Sequence, residues 1–83
     1  MRIRVRFFAS VRERLRRAED EIEIRDGATV ADAWKELRLL HPALGEVGLS
    51  LRFAVNQEYV DDQCVLASGD ELALIPPVSG GVS

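Results

Sequence analysis

The sequence has one cysteine, one histidine and no long apolar run, and each shortage excludes a class of protein. The single cysteine, Cys64, cannot form an internal disulfide, so we expect a reducing compartment and a fold held by packing alone. No stretch approaches the roughly eighteen apolar residues of a membrane span, and Met1 opens directly into strand-like sequence without a signal peptide. The sequence therefore predicts a cytoplasmic protein that does not enter a membrane.

Groups suited to metal binding or catalysis are equally scarce. His41 precedes a proline at a predicted helix end and is interpreted as a turn residue rather than a base or a ligand. Cys64 has no second cysteine for a metal and is interpreted as a small, buried, inert thiol. Four carboxylates in predicted turns fit no calcium loop: Asp61, Asp62, Asp70 and Glu71. The sequence contains no Gly-rich phosphate loop and no catalytic constellation, so the chain is not expected to catalyse a reaction alone or to bind a cofactor.

The chain is short, and its charge is unevenly distributed. Eighty-three residues make one domain, which buries only about 60% of the surface of its unfolded chain. The net charge is −3, yet seven of the eleven basic residues lie within residues 1–17 and thirteen of the fourteen acids lie beyond them. Arg2, Arg4 and Arg6 alternate with apolar residues, which is typical of the solvated face of a strand rather than of a nucleic-acid site. This distribution is compatible with a partner that has an acidic docking surface.

Apolar periodicity in the first third of the chain predicts two strands joined by a short helix. Strand one is predicted over Arg2–Phe8 and strand two over Glu21–Ile24. Ser10 and Glu13 have the spacing of a capping box, which predicts a helix that continues to about Ala18.

The rest of the chain predicts one main helix followed by three strands. Thr29 is the expected N-cap, with Asp32 in the first turn, and His41-Pro42 ends the helix. One apolar stripe at helical spacing should face the core: Val30, Ala33, Trp34, Leu37 and Leu40. After a loop over residues 42–50, strands are expected around Leu51–Val55, Tyr59-Val60 and Glu71–Ile75, with a hairpin turn at Asn56–Glu58.

The last fifteen residues are the most distinctive stretch of the sequence. Pro76-Pro77 should end the last strand, because proline has no N–H to donate to a ladder. The residues from Pro76 to Gly81, if extended, span about 20 Å, and Gly80-Gly81 has no Cβ atoms and fits a narrow channel. We therefore predict a domain over residues 1–75 and a flexible tail over residues 76–83 that enters a partner's active site. A frayed terminus without function is the alternative.

The string GDELALIPPVSGG over residues 69–81 resembles the closing signature of the MoaD-type small subunit of molybdopterin synthase, a family of ubiquitin-like sulfur carriers. Residues 4–9, 11–13 and 55–57 extend the resemblance over most of the chain. The order of elements alone permits several α+β folds. The resemblance implies the β-grasp fold, in which a mixed sheet of about five strands wraps around one main helix. It also implies that strands one and five are parallel neighbours in the sheet centre.

Two apolar residues are out of phase with the core-facing positions of these central strands. Phe8 and Ile75 should therefore lie side by side on the outer face, with Tyr59 as a candidate third member of an exposed patch. The alternative is that the first helix covers Phe8. In the family, these positions and Arg12 resemble the face that docks on the activating enzyme and on the large synthase subunit, and the tail residues Pro76–Val78 continue that contact.

The resemblance also implies a mechanism centred on Gly81. A separate E1-like, MoeB-type enzyme uses ATP to adenylate the Gly81 carboxylate, and a sulfur donor then displaces AMP. The MoaE-type large subunit receives the thiocarboxylate, whose sulfur goes to cyclic pyranopterin monophosphate to form the dithiolene of molybdopterin. Gly80 allows the acyl end to pass, and ATP belongs to the activating enzyme.

Family members stop at the second glycine, whereas Val82 and Ser83 follow it in this sequence. A peptide bond at Gly81 prevents adenylation, so we expect a protease to remove both residues. Truncation of a longer fusion and a carrier that is never activated are the alternatives. Other functions also stay open, namely a sulfur carrier for thiazole, cysteine or tRNA thiolation, a protein modifier, and a β-grasp binding module.

Overall fold

The computed structural model describes residues 1–46 and 51–77 of the chain. Its elements follow the predicted order: β1 (Arg2–Phe7), α1 (Ala9–Leu15), β2 (Glu19–Glu23), α2 (Val30–Leu40), a 3₁₀ helix (Pro42–Glu46), β3 (Arg52–Val55), β4 (Glu58–Val60) and β5 (Glu71–Ile75). Within these ranges, no helix has both the length and the apolar character needed to cross a membrane. The loop predicted after α2 is in part the 3₁₀ helix, and residues 47–50 lie outside the described ranges.

The strands form one mixed sheet in the order β2-β1-β5-β3-β4. β1 and β5 are parallel, whereas the other neighbouring pairs are antiparallel. The predicted α+β class, and the parallel pairing of the first and last strands, are therefore confirmed.

Alternation along the central strands builds the core. The inward positions of β1 and β5 join apolar residues of both helices in one buried cluster: Ile3, Val5, Phe7, Val11, Val30, Ala33, Leu37, Leu72 and Leu74. The alternate positions of β1 are Arg2, Arg4 and Arg6, and all three are exposed. The sheet therefore has an inner face against the helices and an outer face that carries its polar residues.

The N-terminus of α2 has the capping box that Thr29 and Asp32 predict. The Asp32 N–H donates to Thr29 Oγ1 at 3.3 Å, and the Thr29 N–H donates to Asp32 Oδ2 at 2.9 Å. The prediction that Leu40 faces the core is wrong, since its side chain is 51% exposed. It lies in the last turn of α2 and at the margin of the stripe, about 80° from Val30 at 3.6 residues per turn.

The prediction that Ser10 caps α1 is wrong. Phe8 is the N-cap, with no side-chain capping bond, and its carbonyl accepts from the Val11 N–H at 3.1 Å. The helix follows β1 so closely that Ser10 already lies within its first turn. It ends at Leu15 rather than near Ala18 because Arg16 adopts the left-handed conformation, with φ of 57°. As a result β2 begins at Glu19, two residues earlier than predicted.

The β3–β4 hairpin is confirmed, although Glu58, predicted to lie in the turn, already belongs to β4. The turn is tied to the start of β5. Asn56 and Gln57 have φ of 51° and 72°, the positive values that two-residue hairpin turns require. Asn56 Nδ2 donates to Asp70 Oδ1 at 3.0 Å, and Asn56 Oδ1 accepts from the Glu71 N–H at 3.1 Å. Cys64, predicted to be buried, is half-buried against the core cluster.

Candidate functional site

A groove of about 290 Å³ lies on the outer face of the sheet, and we refer to it as the outer groove. Its apolar lining comes from four different strands or their ends: Phe8, Ala54, Tyr59, Ala73 and Ile75. Three polar residues complete it: Arg6, Gln57 and Glu71.

Strand register explains why a groove forms at this point. Arg6 of β1 pairs with Ala73 of β5, Ala73 pairs with Ala54 of β3, and Ala54 pairs with Tyr59 of β4. Side chains at paired positions share one face of a sheet, so this row runs from a long side chain across two methyl groups to an aromatic ring. The two alanines form the floor, and the larger residues form the walls.

Phe8 and Ile75 are neighbours in the outer groove, as predicted. Each follows a residue of the registered pair Phe7 and Leu74, and each is half-buried rather than buried. Tyr59 joins them with 66% of its side chain exposed. Phe8 is therefore not covered by α1, although it caps that helix. Its part in partner binding stays a prediction.

Two arginines lie over the aromatic walls. The Arg6 guanidinium carbon is 5.3 Å from the centroid of the Phe8 ring, and that of Arg52 is 5.8 Å from the Tyr59 ring. Arg6 Nη1 also lies 3.6 Å from Glu71 Oε2. The electron-rich ring faces attract the cations, so each wall combines an apolar ring with a positive charge.

Arg12, which the family resemblance assigns to the same face, does not line the outer groove. Its side chain is exposed on α1 and borders a separate depression with Glu13, Arg16, Arg17 and Ala18. Its backbone N–H lies 3.3 Å from the Phe8 carbonyl, one helical turn away.

The predicted tail is only partly described. Pro76, predicted to leave the sheet as part of a flexible tail, is buried, whereas Pro77 is exposed. The predicted site residues Val78, Gly80 and Gly81 lie outside the described ranges, as do Val82 and Ser83.

His41 has a structural partner that sequence reasoning missed. Its Nε2 lies 2.9 Å from Asp20 Oδ2, and its ring packs edge-on against Phe7 with 6.0 Å between centroids. Burial raises the pKa of Asp20, but the hydrogen bond to His41, the backbone N–H of Glu21 and the charge of Arg17 outweigh it, so the pKa lies below 3.8. The pair therefore ties the end of α2 to β2. No sequence pattern signals it, because the two residues are twenty-one positions apart.

The described residues offer no alternative centre for metal chemistry. Within residues 1–46 and 51–77, no group of three or more His, Cys, Asp or Glu side chains could hold an ion. The carboxylates considered for calcium serve other contacts: Asp61 and Asp70 accept backbone N–H groups, and Glu71 pairs with Arg4 and Arg6.

Comparison with known proteins identifies the family. A protein-family model described as the ThiS family matches residues 5–81 of this chain. The "Molybdopterin synthase sulfur carrier subunit" of Chlamydomonas reinhardtii is 45% identical over 98% of this chain and 100% of its own length. The crystal structure of SAMP1 from Haloferax volcanii superposes with a TM-score of 0.88, at 32% identity, over 98% of this chain and 100% of that chain.

A complex supplies a further comparison. The structure of subunits 1 and 2 of the molybdopterin-converting factor from Helicobacter pylori contains a chain that superposes with a TM-score of 0.72, over 98% of this chain and 100% of that chain. At 24% identity, this likeness concerns the fold alone. The family match spans nearly the whole sequence, and the Chlamydomonas relative is similar along its full length. The chain therefore belongs to the ThiS family.

Proposed function

We propose that the chain is the sulfur carrier subunit of a molybdopterin synthase, and that it delivers sulfur as a thiocarboxylate on Gly81 after Val82 and Ser83 are removed. The observation that carries the proposal is the position of Ile75. This residue lines the outer groove and is also the last residue of β5. A partner docked in the groove therefore holds the start of the tail, with Gly81 within about 20 Å along an extended chain.

The chemistry needs an activation step because a carboxylate is a poor electrophile. A Gly81 carboxylate oxygen attacks the α-phosphorus of ATP on a separate MoeB-type enzyme, and pyrophosphate leaves. A nucleophilic sulfur then attacks the acyl carbon and expels AMP. ATP belongs to that enzyme, and this chain needs no cofactor of its own. The sulfur finally passes to cyclic pyranopterin monophosphate in the MoaE-type large subunit, and water supplies the oxygen that returns Gly81 to a carboxylate. Two such transfers provide the two sulfurs of one dithiolene.

Two features of the chain suit this role. Gly80 and Gly81 have no side chain to obstruct a narrow channel, while Pro76 and Pro77 restrict the tail and lower the entropy lost when it inserts. The family match also ends at Gly81, so Val82 and Ser83 lie beyond the segment that the family model matches.

The partners proposed are the large synthase subunit and the activating enzyme, which would use the outer groove in turn. The name of the Chlamydomonas relative supports the first of these, since that protein is the sulfur carrier subunit of a molybdopterin synthase. Nucleic acid is not proposed, because Arg2, Arg4 and Arg6 form ion pairs with glutamates on the outer face. We place the protein in the cytoplasm, in keeping with its single free thiol.

Intact-mass spectrometry with the activating enzyme, ATP and a sulfur donor tests the proposal. A version that ends at Gly81 should gain the mass difference between sulfur and oxygen, whereas the 83-residue chain should stay unchanged. Gly81→Val in the shortened version is the matched control, since a branched side chain should block the step. Reaction of the untrimmed chain would refute the trimming step, and an inert shortened chain would refute the sulfur-carrier function.

A second function is favoured by one observation. The structure with a TM-score of 0.88 is SAMP1, a small archaeal modifier protein. In a modifier, a lysine amine attacks the same acyl-adenylate and expels AMP, which leaves an isopeptide bond at Gly81. Conjugates of higher mass in the native cell would favour this function, and a free thiocarboxylate would favour the first. Sulfur transfer to thiazole, cysteine or tRNA would give the same thiocarboxylate and differ only in the acceptor.

A further inference from the structure

The outer groove has a positively charged aromatic wall on each side. Arg6 lies over Phe8 at one side, and Arg52 lies over Tyr59 at the other. Phe8 follows β1 and Tyr59 belongs to β4, which are separated in the sheet by β5 and β3. At about 4.8 Å between neighbouring strands, the two walls stand about 14 Å apart.

Each of these walls carries a guanidinium group, although the chain as a whole has a net charge of −3. Glu71 is the acid in the groove lining, and it is shared by Arg4 and Arg6 at 3.8 and 3.6 Å. Arg52 forms no ion pair with any residue in the described ranges. In the lining and its two walls, the guanidinium groups of Arg6 and Arg52 therefore accompany one carboxylate, that of Glu71, which leaves an excess of about one positive charge. Asp61 and Asp62 border a neighbouring depression with Arg52 and Tyr59.

The geometry of stacking leaves these cations available for a further interaction. A guanidinium that lies on a ring uses its flat face, whereas its N–H donors project from the edge in the plane of the group. A carboxylate can approach that edge without displacing the ring. The pairing becomes stronger when an apolar group fills the space between the walls, because water is then excluded from it.

We propose that Arg6 and Arg52 determine which partners the outer groove accepts, by pairing with carboxylates that flank an apolar side chain of the partner. The partner's apolar side chain would rest on Ala54 and Ala73, and an acidic residue at each side would meet one arginine. A partner with basic residues at these positions would be rejected by charge repulsion. This inference rests on the proposed function, since it specifies the surface that the large synthase subunit presents.

Neutralising each arginine separately tests the proposal. Arg6→Gln and Arg52→Gln would be compared with Arg2→Gln, a matched control on the outer face of β1 that pairs with Glu21 and Glu23 away from the groove. Surface plasmon resonance would measure association and dissociation of the large synthase subunit from the same cell over a range of salt concentrations. Thermal unfolding of each variant would verify that it is folded.

We expect each groove variant to bind about two- to fivefold more weakly, mainly through slower association and with a shallower dependence on salt. Arg2→Gln should bind like the unmodified chain. Arg6→Lys and Arg52→Lys should keep the salt dependence, because the charge remains, but lose part of the affinity, because an ammonium has no planar fork.

Two other results would overturn the inference in distinguishable ways. If both glutamine variants bind with unchanged rates and salt dependence, or bind more tightly, the arginines do not meet carboxylates, and the proposed function is untouched. If the unmodified chain ending at Gly81 binds neither the large subunit nor the activating enzyme, the proposed function itself fails, and this is seen before any variant is compared.

Discussion

Replacing Asp20 with alanine should destabilise the fold through the loss of one specific contact. The Asp20 carboxylate meets three groups: the His41 ring at 2.9 Å, the Glu21 N–H at 2.8 Å and Arg17 at 3.8 Å. Water can replace the carboxylate at the exposed Glu21 N–H, and the long, partly exposed pair with Arg17 contributes little. His41 is only 16% exposed, so its lost hydrogen bond to a charged group should account for most of a decrease of about 2 kcal/mol.

Denaturant and thermal unfolding would measure this decrease. In a domain of this size, about 2 kcal/mol corresponds to a melting temperature lower by about 8–16 °C. Glu19→Ala, at the exposed neighbouring position of β2, is the control and should change the free energy of unfolding by about 0.5 kcal/mol or less. If Asp20→Ala were as mild as this control, the tie between α2 and β2 would not stabilise the fold.

The same contact predicts a dependence on pH with a defined sign. The pKa of Asp20 in the folded chain lies below 3.8, its ordinary value, so ionisation of this carboxyl stabilises the folded state. That contribution is complete above the unfolded pKa and is lost as the pH falls through the folded pKa. The difference in unfolding free energy between the unmodified chain and Asp20→Asn should therefore shrink in acid. A difference that stays constant from neutral pH to well below 3.8 would contradict the argument.

Two further substitutions test the outer face and the end of α1. Ile75→Asp should lower the free energy of unfolding by about 1 kcal/mol or less yet abolish binding of the large subunit. Leu74→Ala, on the buried face, should lower the free energy of unfolding by about 2–5 kcal/mol. Calorimetry and a binding assay would measure both effects, and an Ile75→Asp variant that unfolds would contradict the prediction. Arg16→Gly should raise the free energy of unfolding by about 0.5–1 kcal/mol, because glycine avoids the left-handed penalty of about 1–2 kcal/mol but has a more mobile unfolded state. Arg14→Gly, within the helix, should instead lower the free energy of unfolding by about 1 kcal/mol. If denaturant unfolding showed the same change for Arg16→Gly and Arg14→Gly, the backbone of Arg16 would not be strained.

The fold was predictable where a regular pattern met a strong local signal. The alternation of arginine with Ile3, Val5 and Phe7 defines both faces of β1, and Thr29 and Asp32 define the start of α2. Such features depend on residues a few positions apart. The parallel pairing of β1 with β5 did not follow from these patterns, because it depends on contacts across the whole chain, and it came from the family resemblance.

The wrong predictions share a physical cause. The spacing of residues along the chain does not determine where a helix or strand lies relative to the rest of the fold. Ser10 and Glu13 have the right spacing for a capping box, yet the chain turns into α1 two residues sooner. Leu40 has the right spacing for the core stripe, yet it lies at the margin of that stripe and its side chain is 51% exposed. The Asp20–His41 contact could not be predicted from local sequence patterns, because it joins residues from separate elements.

For a related reason, the sequence predicted the apolar residues at the strand ends of the candidate site but not the floor of the groove. Phe8 and Ile75 attract attention because each is apolar at a position out of phase with the core. The alanines of the floor have no such signal in the sequence, since small residues are common on an outer face. They form the floor of a groove only because larger side chains flank them. Ala54 and Ala73 form the floor because β3 pairs with β5, and this pairing cannot be inferred from the sequence pattern.

The register of β1 and β5 connects these findings, because it decides both where the outer groove lies and where the chain leaves the sheet after Ile75. Phe7 pairs with Leu74, so a parallel arrangement brings the next residues, Phe8 and Ile75, to the same end of the sheet. A shift of one residue would turn Ile75 towards the core and Leu74 outwards, since successive side chains point to opposite faces. Ile75 would then no longer line the outer groove at the point where β5 ends. The buried partners of Leu74 oppose such a shift, so the core that stabilises the domain also keeps Ile75 on the outer face, directly before Pro76.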